Sequence, residues 1–129
     1  MISGHFATAL VAKQKTPKGH IAFYLMIAQL PDLLWHLFHF LGLEPTGPEN
    51  PMMGSLGTIQ AEMTYSHDIL PTLGWVLLAI LLGRSLYGSW RPGWTAGALI
   101  IVHALCDAIS GHPHYFFGPD SLQLGFGLY

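Results

Sequence analysis

Asp32 and His36 are separated by three residues, and so are His103 and Asp107. On an α-helix this spacing puts both side chains of a pair on one face, a turn apart. An imidazole nitrogen and a carboxylate oxygen so placed can hold one divalent ion, each about 2.0–2.2 Å from it in the case of zinc. His5 and His67 are the further ligand-type residues that the chain order brings to the same region. The candidate metal ligands are therefore His5, Asp32, His36, His67, His103 and Asp107. Mixed imidazole and carboxylate donors suit zinc, with manganese or iron as alternatives, and one or two ions are expected. Glu62 and Asp68 are the candidate catalytic carboxylates, with Glu62 the general base if it stays off the metal; Asp68 also fits a helix N-cap. His39, His112 and His114 are candidates for supporting positions around the ligands. Cys106 stands about 100° around a helix from Asp107, which points to packing.

The segments carrying these residues are apolar. Of the 129 residues, 51% are hydrophobic and 9% are charged, against roughly 25% charged in an ordinary soluble domain. A soluble domain this small needs a charged surface that this chain lacks. The expected fold class is all-α: one small integral membrane helical bundle, residues 1–129, with about four apolar helices. An aspartate inside a membrane segment costs ~2.5–3.5 kcal/mol on insertion scales, so Asp32 and Asp107 must be paired, solvated or bound to a cation. The single cysteine rules out an internal disulfide. The positive charges near the N-terminus follow the apolar run, so a cleaved signal peptide is not expected.

The elements can be placed from the same pattern. Ser3 or Gly4 starts a short first helix over roughly 4–14, with Ser3 a suitable N-cap. Pro17 and Gly19 make the following segment a polar turn. His20 to about Gly42 is long enough to span, and Pro31 inside it predicts a kink. Residues 43–65 read as an acidic-side loop, with one short helical turn at 58–64. The third helix is predicted from about 69 to 83, with Pro71 in its tolerant first turn. A second basic turn follows, then a fourth helix from about 94 to 110. The aromatic, Gly-rich tail is expected along the membrane interface.

All five cations fall in two windows, Lys13–Lys18 and Arg84–Arg91, separated by two crossings. They should share one side, the cytoplasmic side by the positive-inside tendency, with Tyr87, Trp90 and Trp94 as an aromatic belt. The acids and seven of the eight histidines gather toward the opposite face; the exception, His20, sits on the basic side.

Pro31-Asp32 followed by His36, Ser66-His67 at a helix start, and His103-x3-Asp107 before a Gly and Pro turn form an ordered set. This set resembles the YdjM-like family of predicted membrane-bound metal-dependent hydrolases, over nearly the whole chain. The family's early histidine corresponds to His5. Its His-Arg-Gly-x-Thr-His-Ser stretch corresponds to Glu62 through Asp68, with Glu62 in place of the first histidine and no arginine. Leu34 stands where the Pro-Asp motif has its second acid. The His-x3-Asp pair on a helix also resembles zinc-dependent phospholipase C and P1-type nucleases, as an analogy of site and not of fold.

The resemblance implies a metal-dependent hydrolase in a bacterial or archaeal plasma membrane. A metal there would lower the pKa of a bound water toward ~7 and polarise an ester or phosphoester oxygen. The partners expected are the lipid bilayer and an amphiphilic, lipid-like substrate, with no nucleic acid. Two alternatives stand beside this reading. One is a non-catalytic metal-binding or transport protein, which would need a homo-oligomer to form a conduit. The other is a structural subunit whose polar groups bridge helices at ~0.6 kcal/mol each.

Overall fold

The computed structural model describes residues 2–48, 59–61, 63–110 and 114–124. Five helices follow in order: α1 (Ile2–Lys15), α2 (Ile21–Ala28), α3 (Leu30–Phe40), α4 (Ile69–Tyr87) and α5 (Trp90–Ser110). Two small antiparallel hairpins complete the fold: β1 (Thr46–Pro48) with β2 (Ile59–Ala61), and β3 (His114–Tyr115) with β4 (Gln123–Leu124).

α4 and α5 are each long and apolar enough to cross a membrane. At 1.5 Å per residue, 19 residues of α4 extend about 28 Å, close to the ~30 Å of a hydrocarbon core. Seven leucines of α4, from Leu70 to Leu86, are 42–60% exposed. That surface suits lipid and not water, as an integral membrane protein requires.

The two long helices meet through small residues. A Cβ on Gly83 would lie 2.8 Å from Gly93 Cα, and one on Gly93 would run into the Ile80 carbonyl oxygen. Gly97 likewise leaves room for the Ile80 side chain. Close backbone approach replaces the hydrophobic drive that lipid removes. Around this seam the core is Ala9, Ala12, Tyr24, Ile27, Ala28, Ala79, Ala96, Leu99 and Ile100, drawn from α1, α2, α4 and α5.

The expected second helix is two helices. Pro31 has no N–H to offer and its ring crowds the preceding turn, so α2 ends at Ala28 and α3 leaves at 58° to it. α3 takes Pro31 in its first turn, where the missing donor costs nothing. α1 begins at Ile2, ahead of the N-cap expected at Ser3. α4 runs on to Tyr87 and α5 starts at Trp90, so the second basic turn is only Gly88 and Ser89. Gly88 takes φ +61, the left-handed conformation that closes a helix. Pro92 in the first turn of α5 allows the early start.

One further expectation gives way. Residues 59–61 form strand β2 and not a helical turn, because Ala61, Gln60 and Ile59 pair with Thr46, Gly47 and Pro48. The tail folds back as a hairpin against the start of α4, where Leu70 N–H donates to the Phe116 carbonyl at 3.1 Å.

The two basic turns lie side by side. Thr16 Oγ1 is 2.7 Å from Thr95 Oγ1, and His20 N–H donates to the Tyr87 hydroxyl at 3.1 Å. Lys13 Nζ caps the turn by donating to the carbonyls of Pro17 and Gly19. The other ends of the helices, which carry the acids and histidines, meet at the far end of the bundle.

Candidate metal centre

Three segments bring four donors to that far end. Asp32 stands in the first turn of α3, just past the break. His67 precedes α4. His103 and Asp107 lie one turn apart on α5. One donor atom from each of the four falls within 4.8 Å of the others.

The separations would suit a cage around a cation. His103 Nε2 is 3.0 Å from Asp107 Oδ2 and 3.7 Å from Asp32 Oδ1. His67 Nε2 is 3.6 Å from Asp32 Oδ1 and 3.8 Å from Asp107 Oδ2. Donors about 2.1 Å from a tetrahedral ion stand about 3.4 Å apart, so the four atoms surround a space of the right size. His103 and His67 are buried, and Asp107 nearly so; Asp32 is the most open, with 32% of its side chain exposed.

The imidazoles are held in the tautomer a metal needs. His103 Nδ1 is 2.8 Å from the Ala28 carbonyl oxygen, which can only accept, so Nδ1 carries the proton and Nε2 presents its lone pair inward. That carbonyl is free because α2 ends there. His67 Nδ1 is 2.8 Å from Ser66 Oγ, and Ser66 Oγ–H donates to Glu44 Oε2 at 2.8 Å. With the hydroxyl proton committed to Glu44, His67 Nδ1–H is the donor to Ser66, and its Nε2 also faces inward unprotonated. Two lone pairs and two carboxylates pointed at one space repel each other unless a cation or a shared proton sits between them. The buried Nε2 of His103 makes no hydrogen bond, even though Asp107 Oδ2 is within 3.0 Å.

His5 borders the cage. Its ring stacks on His103 with centroids 3.9 Å apart, and its Nε2 is 3.5 Å from Asp107 Oδ1, the oxygen not turned toward His67. Its buried Nε2 also lacks a hydrogen bond. His114 is buried on the other side, its ring 6.2 Å from that of His67 and nearly parallel to it.

The remaining candidates lie elsewhere. His36 is exposed on α3, its ring against Trp35, and is not among the four converging donors. His39 is exposed, with Nδ1 3.2 Å from the Glu44 carbonyl oxygen. Asp68 occupies the N-cap position of α4 without capping it. Its carboxylate accepts the N–H groups of Tyr115 and Gly118 at 3.0 and 2.6 Å, which ties the β3–β4 hairpin to the bundle. Cys106 is exposed on α5. Glu62 and His112 lie outside the described residues.

Glu44 has a structural role that its position in the sequence does not suggest. It is fully buried and accepts three hydrogen bonds, from Tyr65 N–H, Ser66 N–H and the Ser66 hydroxyl. It stands in the acidic loop, where a carboxylate would ordinarily be solvated, and nothing local to it marks it as buried.

No family model, no curated protein and no solved structure matches the chain. The functional reading therefore rests on the geometry of the centre and the order of its motifs.

Proposed function

We propose that the chain is a membrane-embedded, metal-dependent hydrolase that acts on a lipid-like ester or phosphoester. The observation that carries this reading is the convergence of Asp32, His67, His103 and Asp107, with separations of 3.0–3.8 Å where measured, at one end of membrane-crossing helices. The donor set fits zinc, with manganese or iron as alternatives. A metal held there supplies an acidified water and a Lewis acid for the ester or phosphoester oxygen.

The chain's own residues supply the rest. Ala28 and the Ser66–Glu44 pair fix the tautomers and ring planes of His103 and His67. Asp32 is the most exposed carboxylate of the cage, so it is the one placed to exchange a proton with an arriving molecule. The order of the motifs, which resembles that of the YdjM-like family, favours the same reaction class. Between the cage and the basic end the core is Ala9, Ala12, Tyr24, Ile27, Ala96, Leu99 and Ile100. That apolar packing favours a closed reaction site over an ion conduit. The basic turns would face the cytoplasm and the cage the opposite side.

The test is hydrolysis of a chromogenic alkyl ester and a chromogenic alkyl phosphoester by zinc-loaded protein in detergent micelles. Turnover of one of them, falling at least 100-fold in Asp32→Asn, is the expected result. No turnover of either by zinc-loaded, folded protein would refute the reaction class.

A further inference from the structure

A cleft of about 450 Å³ opens beside the cage, between α1 and the α2–α3 break. Its walls are Phe6 from α1, Leu25 and Met26 from α2, and Leu33 from α3, with Asp32 and His36 on the same surface. The volume lies in the range of small-molecule sites. Asp32 belongs to both the cleft and the cage.

Exposure decides which way the cage opens. The side chains of His67, His103 and Asp107 are 4%, 1% and 10% exposed, against 32% for Asp32. A second apolar groove, between α4 and α5, reaches the cage only at the buried His67. A molecule approaching the reacting centre therefore comes past Asp32, along the first cleft. The cleft also explains His36: it shares a helix face with Asp32, as i,i+4 spacing requires, yet serves the cleft wall and not the ion.

We propose that this cleft seats the substrate, an amphiphile with one alkyl chain against Phe6, Leu25, Met26 and Leu33 and its ester or phosphoester group at Asp32. The proposal rests on the hydrolase reading and adds the class and the direction of approach. The apolar wall takes the chain, the two polar residues take the head, and the continuity of cleft and cage sets the scissile group beside the ligands. The cleft takes its walls from both sides of the 58° bend, Leu25 and Met26 before it and Asp32, Leu33 and His36 after it.

The experiment measures binding of dodecyl phosphate and ethyl phosphate to zinc-loaded protein in phosphatidylcholine nanodiscs. Wild type, Leu33→Trp and Met26→Trp are compared, with Leu105→Trp in the second groove as control. Met26 and Leu33 are 64% and 48% exposed, so either indole is accommodated at the surface while it fills the cleft. Both cleft variants should keep their zinc and bind ethyl phosphate as wild type does, while losing at least tenfold in dodecyl phosphate affinity. Leu105→Trp should change neither. Unchanged dodecyl phosphate binding in zinc-loaded cleft variants, or a loss confined to Leu105→Trp, would overturn the cleft and leave the hydrolase reading intact. Wild-type protein that holds none of zinc, manganese or iron would overturn both.

Discussion

His103 Nδ1 lies 2.8 Å from the carbonyl oxygen of Ala28, 75 residues away in sequence. That carbonyl closes α2, and it is open to a side chain because the helix breaks ahead of Pro31. The proline thus acts on the centre twice: it turns Asp32 toward the cage and it exposes the acceptor that orients His103. Removing a partner that orients a metal-bound imidazole typically costs 10–100-fold in metal affinity.

Glu44→Gln tests the relay behind His67. The amide oxygen can still accept the N–H groups of Tyr65 and Ser66, but the amide nitrogen must donate to Ser66 Oγ. The serine proton then turns to His67 Nδ1 and forces the imidazole proton onto Nε2, facing the cage. Zinc affinity by chelator competition should fall about 10–100-fold with the fold retained. Wild-type affinity in the variant would remove Glu44 from the account.

Asp68→Ala should act on the tail and not on the metal. Its carboxylate holds Tyr115 N–H and Gly118 N–H. Hydrogen exchange at these two amides should accelerate, with a loss of roughly 2 kcal/mol in stability. Zinc content should stay as in wild type. Loss of zinc from a variant that remains folded would place Asp68 in the centre itself.

Gly93→Ala should force α4 and α5 apart, since the added methyl meets the Ile80 carbonyl oxygen. A destabilisation of about 1–3 kcal/mol is expected. Gly74→Ala, also in a long helix but with nothing within 4 Å of the added methyl, should be neutral or slightly stabilising. Thermal unfolding in one detergent compares the two. Equal melting temperatures would show that the close helix contact contributes nothing.

Much of this architecture could be read from the residues. The two long apolar helices and the gathering of acids and histidines opposite the basic turns follow from hydropathy and charge, and the break at Pro31 from proline's missing N–H. The His103–Asp107 pair was legible because α5 is straight there, so i,i+4 spacing delivers both donors to one point. For Asp32 and His36 the same spacing does not bring both residues into the converging group. It says that two side chains share a face, not where that face looks. With α3 turned 58° from α2, a residue one turn beyond Asp32 has left the cage. Glu44 was hidden for a different reason. Its burial depends on the turn at residues 64–67 closing over it, a contact 21 residues away in sequence, and a loop carboxylate has no periodicity to reveal that. Strand β2 was missed because three residues carry no period, and pairing with β1 decides their conformation.

The most direct test is the metal content of detergent-purified protein, measured by mass spectrometry beside the His103→Ala/Asp107→Ala variant. One or two equivalents of zinc, manganese or iron in wild type, lost in the folded variant, is the expected result. No metal in either protein, with both folded, would contradict the account and leave the cluster as a set of hydrogen bonds and ion pairs between helices.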